Sequence, residues 1–378
     1  AQTYMEEISS LDADGPSDED YLDQQIDVVN LRLSQVLFDG FTVFNRYQRA
    51  RLDKALSEVR KQKAQMNLRL DVQLVFFKLL KAREDVESLE DAVHRLDVNV
   101  ETATAFFKKD MVPYSQVLQA EVDLADARQN LSQAKNQVET LRGELNILLG
   151  YSAARNIDYV GELSQVPKFA EPLDACIDCA YESRPEIRIS EKSIQIARKE
   201  KDIAMGRFSP QLSFNADYYF RDNDYQDEGT LSSGETYDRD QENRYWTASL
   251  RLQWEFGVGG QQFYENRKLF HEIERLRQNL KAQKNQVTAE VRTHYLALQE
   301  SAERIDATAV GVESAKEAYE RAQKRSEVRI GTISELLDAQ ARLSRAEANH
   351  NQAIADYLLS LAKLHHAMGR EKSFVAIH

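Results

Sequence analysis

Cys176 and Cys179 stand in a C-x-x-C spacing, which can hold half of a zinc site or a reactive dithiol. Zinc needs further ligands, and the chain has no second Cys pair and no His nearby. A redox dithiol needs a surrounding βαβ pattern, which the neighbouring sequence lacks. The pair reads as two small residues on a connector helix. His350, His365 and His366 fall on the last predicted helix without metal-ligand company and read as packing or surface groups. Asp12 and Asp14 begin a calcium-loop pattern that fails beyond them. There is no Gly-rich phosphate loop, nucleophile elbow or isolated carboxylate pair. The sequence therefore predicts no enzyme, no cofactor and no metal site.

Charge and composition turn attention to the elements. The chain has 378 residues and a net charge of −13. Residues 9–27 hold seven acids and no Lys or Arg, and residues 221–244 hold eight acids and three Arg. These segments read as solvated loops, and the remainder is nearly neutral with both signs mixed. The acidic balance argues against nucleic acid as a partner. No apolar run is long enough for a transmembrane helix. Residues 41–108 contain neither Pro nor Gly, and no Pro follows Pro210, so long uninterrupted helices are expected.

An internal repeat organises the chain. Residues 31–150 recur without a gap at 250–369, an offset of 219 residues. Leu31-Arg32-Leu33 matches Leu250-Arg251-Leu252, Gly40 matches Gly259, Ser115 matches Ser334, and Gly150 matches Gly369. The reading is a first repeat over 1–150, a connector over 151–182 and a second repeat over 183–378. Residues 173–219 have no counterpart before the first copy, which predicts about 47 preceding residues, with any secretory signal further upstream.

Each repeat reads as strand followed by helix. Trp246, Ala248, Leu250, Leu252, Trp254 and Phe256 alternate with polar residues, as do Val29, Leu31 and Leu33, and Leu212, Phe214, Ala216, Tyr218 and Phe220. This length and alternation suit membrane β-strands, apolar outside and polar towards a lumen, although a soluble hairpin shares the pattern. Tyr21, Tyr218, Tyr245, Trp246 and Trp254 suggest an aromatic girdle. After Gly40 and Gly260 the period becomes helical, and residues 41–108 would span ~100 Å. Val86, Leu89, Val93, Leu96, Val100, Ala103 and Phe107 form a coiled-coil seam, continued by Ala120, Leu124, Ala127, Leu131, Leu141 and Leu145. Ser115 and Ser334 are predicted N-caps of the returning helices.

Leu33-Ser-Gln-Val-Leu-Phe-Asp-Gly40, Tyr114-Ser-Gln-Val-Leu-Gln-Ala-Glu121, Arg184-Pro-Glu186, Ser209-Pro-Gln-Leu212 and Glu335-Leu-Leu-Asp-Ala-Gln340 follow one another in family order. With the repeat, they make the chain resemble the TolC-like outer membrane efflux proteins. The resemblance implies a mixed fold of α-helix and membrane β-strand. Three chains would close a twelve-stranded barrel in the outer membrane of a Gram-negative bacterium, continued by a helical coiled-coil barrel through the periplasm. It implies a homotrimeric, passive exit duct for efflux or type I secretion. The duct would meet outer-membrane lipid, a periplasmic adaptor and an inner-membrane pump of RND, ABC or MFS class. Near Ala1–Glu6 only the outer end of a first strand would remain. A soluble coiled-coil scaffold is the alternative.

The same resemblance assigns the site. Glu335 and Asp338, at the start of the second returning helix, match acids that ring the periplasmic entrance. Three copies of each would repel one another and attract cations. The first repeat carries Gln116 and Gln119 there. Adaptor docking falls on the tip turns, at Asp110, Met111 and Val112 and at Arg329, Ile330 and Gly331. Asp110 and Arg329 stand where the family has Gly, and are expected to form a closing ion pair. Arg32 and Arg251 would face the barrel lumen.

Overall fold

A computed structural model describes residues 24–163, 166–225, 229–230, 236–237, 241–255, 259–328 and 330–370. Five strands and six helices follow in chain order. They are β1 (Gln24–Phe38), α1 (Thr42–Phe107), α2 (Tyr114–Leu148), α3 (Leu173–Ser183), α4 (Pro185–Gly206), β2 (Gln211–Tyr225), β3 (Gly229–Thr230), β4 (Thr236–Tyr237), β5 (Gln241–Gln253), α5 (Gln261–Glu327) and α6 (Ile333–Ala367). The expected first-strand remnant, most of the first acidic segment, Tyr21 and Phe256 lie outside the described residues, as do Asp12 and Asp14.

Two compact units divide the chain, one of residues 1–55 with 192–277, the other of residues 56–191 with 278–378. The first is built on an antiparallel sheet of order β1-β2-β5, and β3 and β4 form a small separate ladder. Period-two alternation sorts its side chains. Leu31, Tyr218 and Trp246 stand in register on one face, and Leu33, Ala216 and Ala248 beside them. Arg32, Asp217 and Thr247 stand in register on the other. Among the described residues nothing covers the apolar face, and Trp246 is 75% exposed.

At the sheet's end the backbone makes a sharp corner. Gly40 and Phe41 both have positive φ, 65° and 63°. A Cβ on Gly40 would lie 2.5 Å from the Gly206 carbonyl oxygen, and one on Gly206 would lie 2.3 Å from Thr42 Oγ1. Only glycine permits this approach of α4 to the start of α1. Asp39 Oδ2 accepts from the Val43 N–H at 2.8 Å and opens α1.

The second unit carries the main core. Leu79, Leu145, Val287, Val291, Leu364 and Met368 are buried in one cluster from α1, α2, α5 and α6 with the segment after α6. The seam prediction holds for Leu96, Ala103, Ala120, Leu124 and Ala127, which share a second cluster with Leu337. Phe107 departs from it: the ring is exposed and lies 5.1 Å from Tyr114, while Phe106 packs inward. A 3.6-residue helix drifts against a strict 3.5 repeat, so the seam has rotated by the helix end.

Both returning helices are 35 residues long and end alike. Gly150 and Gly369 take positive φ. Tyr151 N–H reaches the Asn146 carbonyl at 2.8 Å, and Arg370 N–H reaches that of His365 at 3.0 Å, closing two Schellman motifs. Their beginnings correct the sequence reading. Pro113 and Thr332 occupy the N-cap positions, and Ser115 and Ser334 already lie inside α2 and α6.

A polar cluster braces this unit. Arg184, with 5% of its side chain exposed, pairs with Glu186 at 3.1 Å and with Glu290. Lys63 lies 3.5 Å from Glu186. Burial pushes Glu186 up, but Arg184 and Lys63 outweigh it and hold the carboxyl below its usual range. His366 Nε2 contacts Asn67 at 2.9 Å. Burial, reinforced by Arg184, lowers the pKa of His366, and burial with Lys363 lowers that of His294.

Candidate functional site

The two turns that join long helix to returning helix differ in chemistry. In the first, the Phe106 carbonyl accepts from Met111 N–H at 3.0 Å, and Asp110 N–H donates to the Phe107 carbonyl at 2.8 Å. Asp110 takes φ 55°, the left-handed geometry of the glycine expected there. Phe106 and Val112 pack against the Leu96–Leu124 cluster, whereas Met111 is exposed. This turn is fastened by apolar contact.

The second turn is fastened by charge. The Arg325 carbonyl accepts from Ile330 N–H at 2.9 Å and from Gly331 N–H at 3.0 Å. Its guanidinium lies 3.5 Å from Glu335 Oε2. Thr332 Oγ1 accepts from the Glu335 N–H at 3.2 Å, capping α6. A Cβ on Gly331 would meet Arg325 Cβ at 3.1 Å and Glu335 Oε2 at 3.4 Å, so the missing side chain lets the pair close. Arg325 was not among the sequence-predicted site residues.

Glu335 and Asp338 lie one turn apart on the exposed face of α6, opposite buried Leu336 and Leu337. Asp338 has no ion-pair partner among the described residues, so the two acids are electrostatically unlike. Ile330 is exposed. Arg329 lies outside the described residues, and the expected Asp110–Arg329 pair with it.

On the sheet, Arg32 and Arg251 both lie on the polar face. Arg32 is bound: Nε donates to Asp217 Oδ1 at 2.6 Å and Nη2 to the Tyr219 hydroxyl at 3.3 Å. Arg251 has no such partner among the described residues. Tyr245 is on the polar face too, stacked on Tyr219 at 4.9 Å, and so is not part of an outer girdle. Trp254 Nε1 donates to the Phe208 carbonyl at 3.1 Å at the sheet's end.

The other cysteines and histidines singled out in the sequence make local packing and hydrogen-bond contacts. Cys176 and Cys179 are free thiols, and burial raises the pKa of Cys176. Cys179 Sγ accepts from Arg370 Nε at 3.2 Å. His350 Nδ1 contacts Thr308 Oγ1 at 3.0 Å, and His365 packs edge-on against Phe169. Among the described residues no group of three His, Cys, Asp or Glu could hold a metal ion.

Known proteins match this arrangement. Residues 3–151 and 176–370 match the outer membrane efflux protein family. The chain is 25% identical over 345 residues to the alkaline protease secretion protein AprF of Pseudomonas aeruginosa, covering 89% of this chain and 68% of AprF. It is 23% identical over 305 residues to the outer membrane protein TolC of Vibrio cholerae, covering 81% of this chain and 68% of TolC. Its fold matches the outer-membrane channel OprN with a TM-score of 0.75 at 15% identity, over 92% of this chain and 80% of that one. It matches CusC with a TM-score of 0.76 at 15% identity, over 98% and 83%. The chain belongs to the outer membrane efflux protein family, the exit channels for efflux or secretion that stand in Gram-negative outer membranes with their helices in the periplasm.

Proposed function

We propose that three copies of the protein, each supplying four strands of which β1, β2 and β5 are described, close a twelve-stranded barrel in the outer membrane, with their helices continuing it as a periplasmic tunnel. The observation that carries this is the two-faced sheet, whose apolar side is bare and whose polar side holds the Arg32–Asp217 pair. Lipid suits the first face and a water-filled lumen the second. Closure across chains also satisfies the edges of β1 and β5. The duplicated halves, offset by 219 residues, are supported by the paired Gly150 and Gly369 caps.

The duct is passive. Members of the family work with adaptor and inner-membrane pump components, and here the adaptor would meet the tip turns around Met111 and Ile330. Glu335 and Asp338 ring the entrance and favour cations. Likeness to AprF supports secretion, and membership of the efflux protein family supports efflux, as the duty of the duct.

Conductance in a planar bilayer tests this, with full-length protein taken from outer membranes in mild detergent. The expected result is a low, cation-preferring conductance that rises when Glu335 and Asp338 are replaced by Ala. An unchanged conductance in that variant would move the constriction elsewhere.

A further inference from the structure

A cleft of about 680 Å³ lies between α1 and α4, wholly within the sheet-bearing unit. Leu52 and Ala55 form its apolar floor, and Arg51, Lys192, Arg198 and Lys199 supply four cations against one acid, Asp202. Lys199 is engaged by Asn45 at 3.1 Å and Asp202 at 3.3 Å, and among the described residues Lys192 meets only the neutral Gln195. No hydrogen bond or ion pair engages Arg51 or Arg198 among the described residues. Both guanidiniums are exposed beside the apolar lining, so each is accessible to an anion entering the cleft.

The faces of α1 show which way the cleft opens. Thr42 and Arg46 line a second, smaller cleft with Gln211 and Gln253. Those two glutamines stand in register on the polar side of the sheet. Phe44, Gln48, Arg51 and Ala55 step by four and three along a different face of α1. Phe44 is exposed, and one turn back Phe41 meets Phe38 of the apolar sheet side with ring centroids 5.8 Å apart. The cationic cleft therefore continues the apolar side of the sheet, beginning ~9 Å along α1 from its first residue.

We propose that this cleft binds the anionic headgroup of a phospholipid from the leaflet bordering the periplasm. Its acyl chains would run past Phe41 and Phe38, and its phosphate would lie between Arg51 and Arg198. Guanidinium forks match phosphate oxygens, and the apolar floor suits an amphiphile better than a free anion. The assignment rests on the barrel reading, which makes the apolar side the lipid side.

Native mass spectrometry of the full-length protein in mild detergent tests it, with phosphatidylglycerol and phosphatidylcholine of equal chain length as probes. The expected result is roughly tenfold preferential retention of phosphatidylglycerol, lost in the Arg51→Gln/Arg198→Gln variant and kept in Arg60→Gln. Equal retention of the two lipids, or a preference that survives the double variant, overturns the proposal. Displacement of phosphatidylglycerol by inorganic phosphate at equal concentration also overturns it, leaving a small-anion site. Bilayer conductance of the same preparation reports on the barrel separately, so a conducting protein without lipid preference sinks this inference alone.

Discussion

Arg325 is the residue whose removal separates charge from architecture at the second tip turn. Its pair with Glu335 is half-exposed on both sides, and such pairs contribute about 0–1 kcal/mol. Arg325→Ala should leave the melting temperature nearly unchanged. It should also leave the Glu335 carboxylate uncompensated and increase cation preference, read as a shifted reversal potential in a salt gradient. An unshifted potential would show that Glu335 does not face the conducted ions. Two half-buried histidines give a second expectation. His294 and His366 titrate below the ordinary value of 6.5 when folded. The unfolded chain then binds more protons in the window beneath 6.5, so stability is full above that pH and falls as pH drops through it. Melting curves at pH 7.5 and 5.5 should show this loss, and His294→Gln/His366→Gln should reduce it. Glu186, held low, adds its own loss only at more acid pH. The acids at 335 and 338 were singled out by the family resemblance, and their place at the entrance is a proposal. Arg325 was not singled out, because the sequence rules that link charges act three or four residues apart on one helix, and this pair spans a turn.

The corner between sheet and helix is the element most dependent on backbone chemistry. Gly40→Ala places a Cβ into both left-handed backbone and the Gly206 carbonyl. It should cost about 1–3 kcal/mol. A Cβ on Gly259, its repeat partner, would meet nothing within 4 Å. Gly259→Ala should be nearly neutral, and thermal melts of the two variants compare them directly. The sequence aligned these glycines as equivalents, yet the strain belongs to one. Alternation sufficed to find the strands and their faces, because a two-residue period leaves no choice once one face is apolar. It did not find the helix starts. Ser115 and Ser334 have the right chemistry for caps, but Pro113 and Thr332 hold the extended backbone that precedes each helix. The tip turns show the same divergence. Phe106, Val112 and Gln116 stand in the first repeat where Arg325, Gly331 and Glu335 stand in the second. One turn is held by burial and is indifferent to salt, whereas the other is held by charge and is screened.

For the whole molecule, the barrel reading requires three chains per particle, which mass photometry of the detergent extract should count. A particle of one or two chains would leave the sheet unable to close. The repeat suggests a division into halves, whereas the compact units divide the chain differently, because each long helix contributes residues to both. Sequence periodicity records which face of a helix is buried and says nothing about which distant helix buries it.

The sheet order has a consequence for biogenesis. With β2 in the middle, β1 and β5 each keep one edge that no other described strand covers. In hydrocarbon, every unmatched N–H or C=O on those edges would cost several kcal/mol. On the proposed barrel, a solitary chain has no stable home in the bilayer, and association would precede or accompany insertion. Before that moment the polypeptide would dwell in water with Trp246, Leu250 and Leu252 bare, as they are in the single chain. It is then a natural client for holding chaperones and a natural victim of proteases. A copy able to join its siblings but unable to complete the sheet would poison their assembly, making its defect genetically dominant.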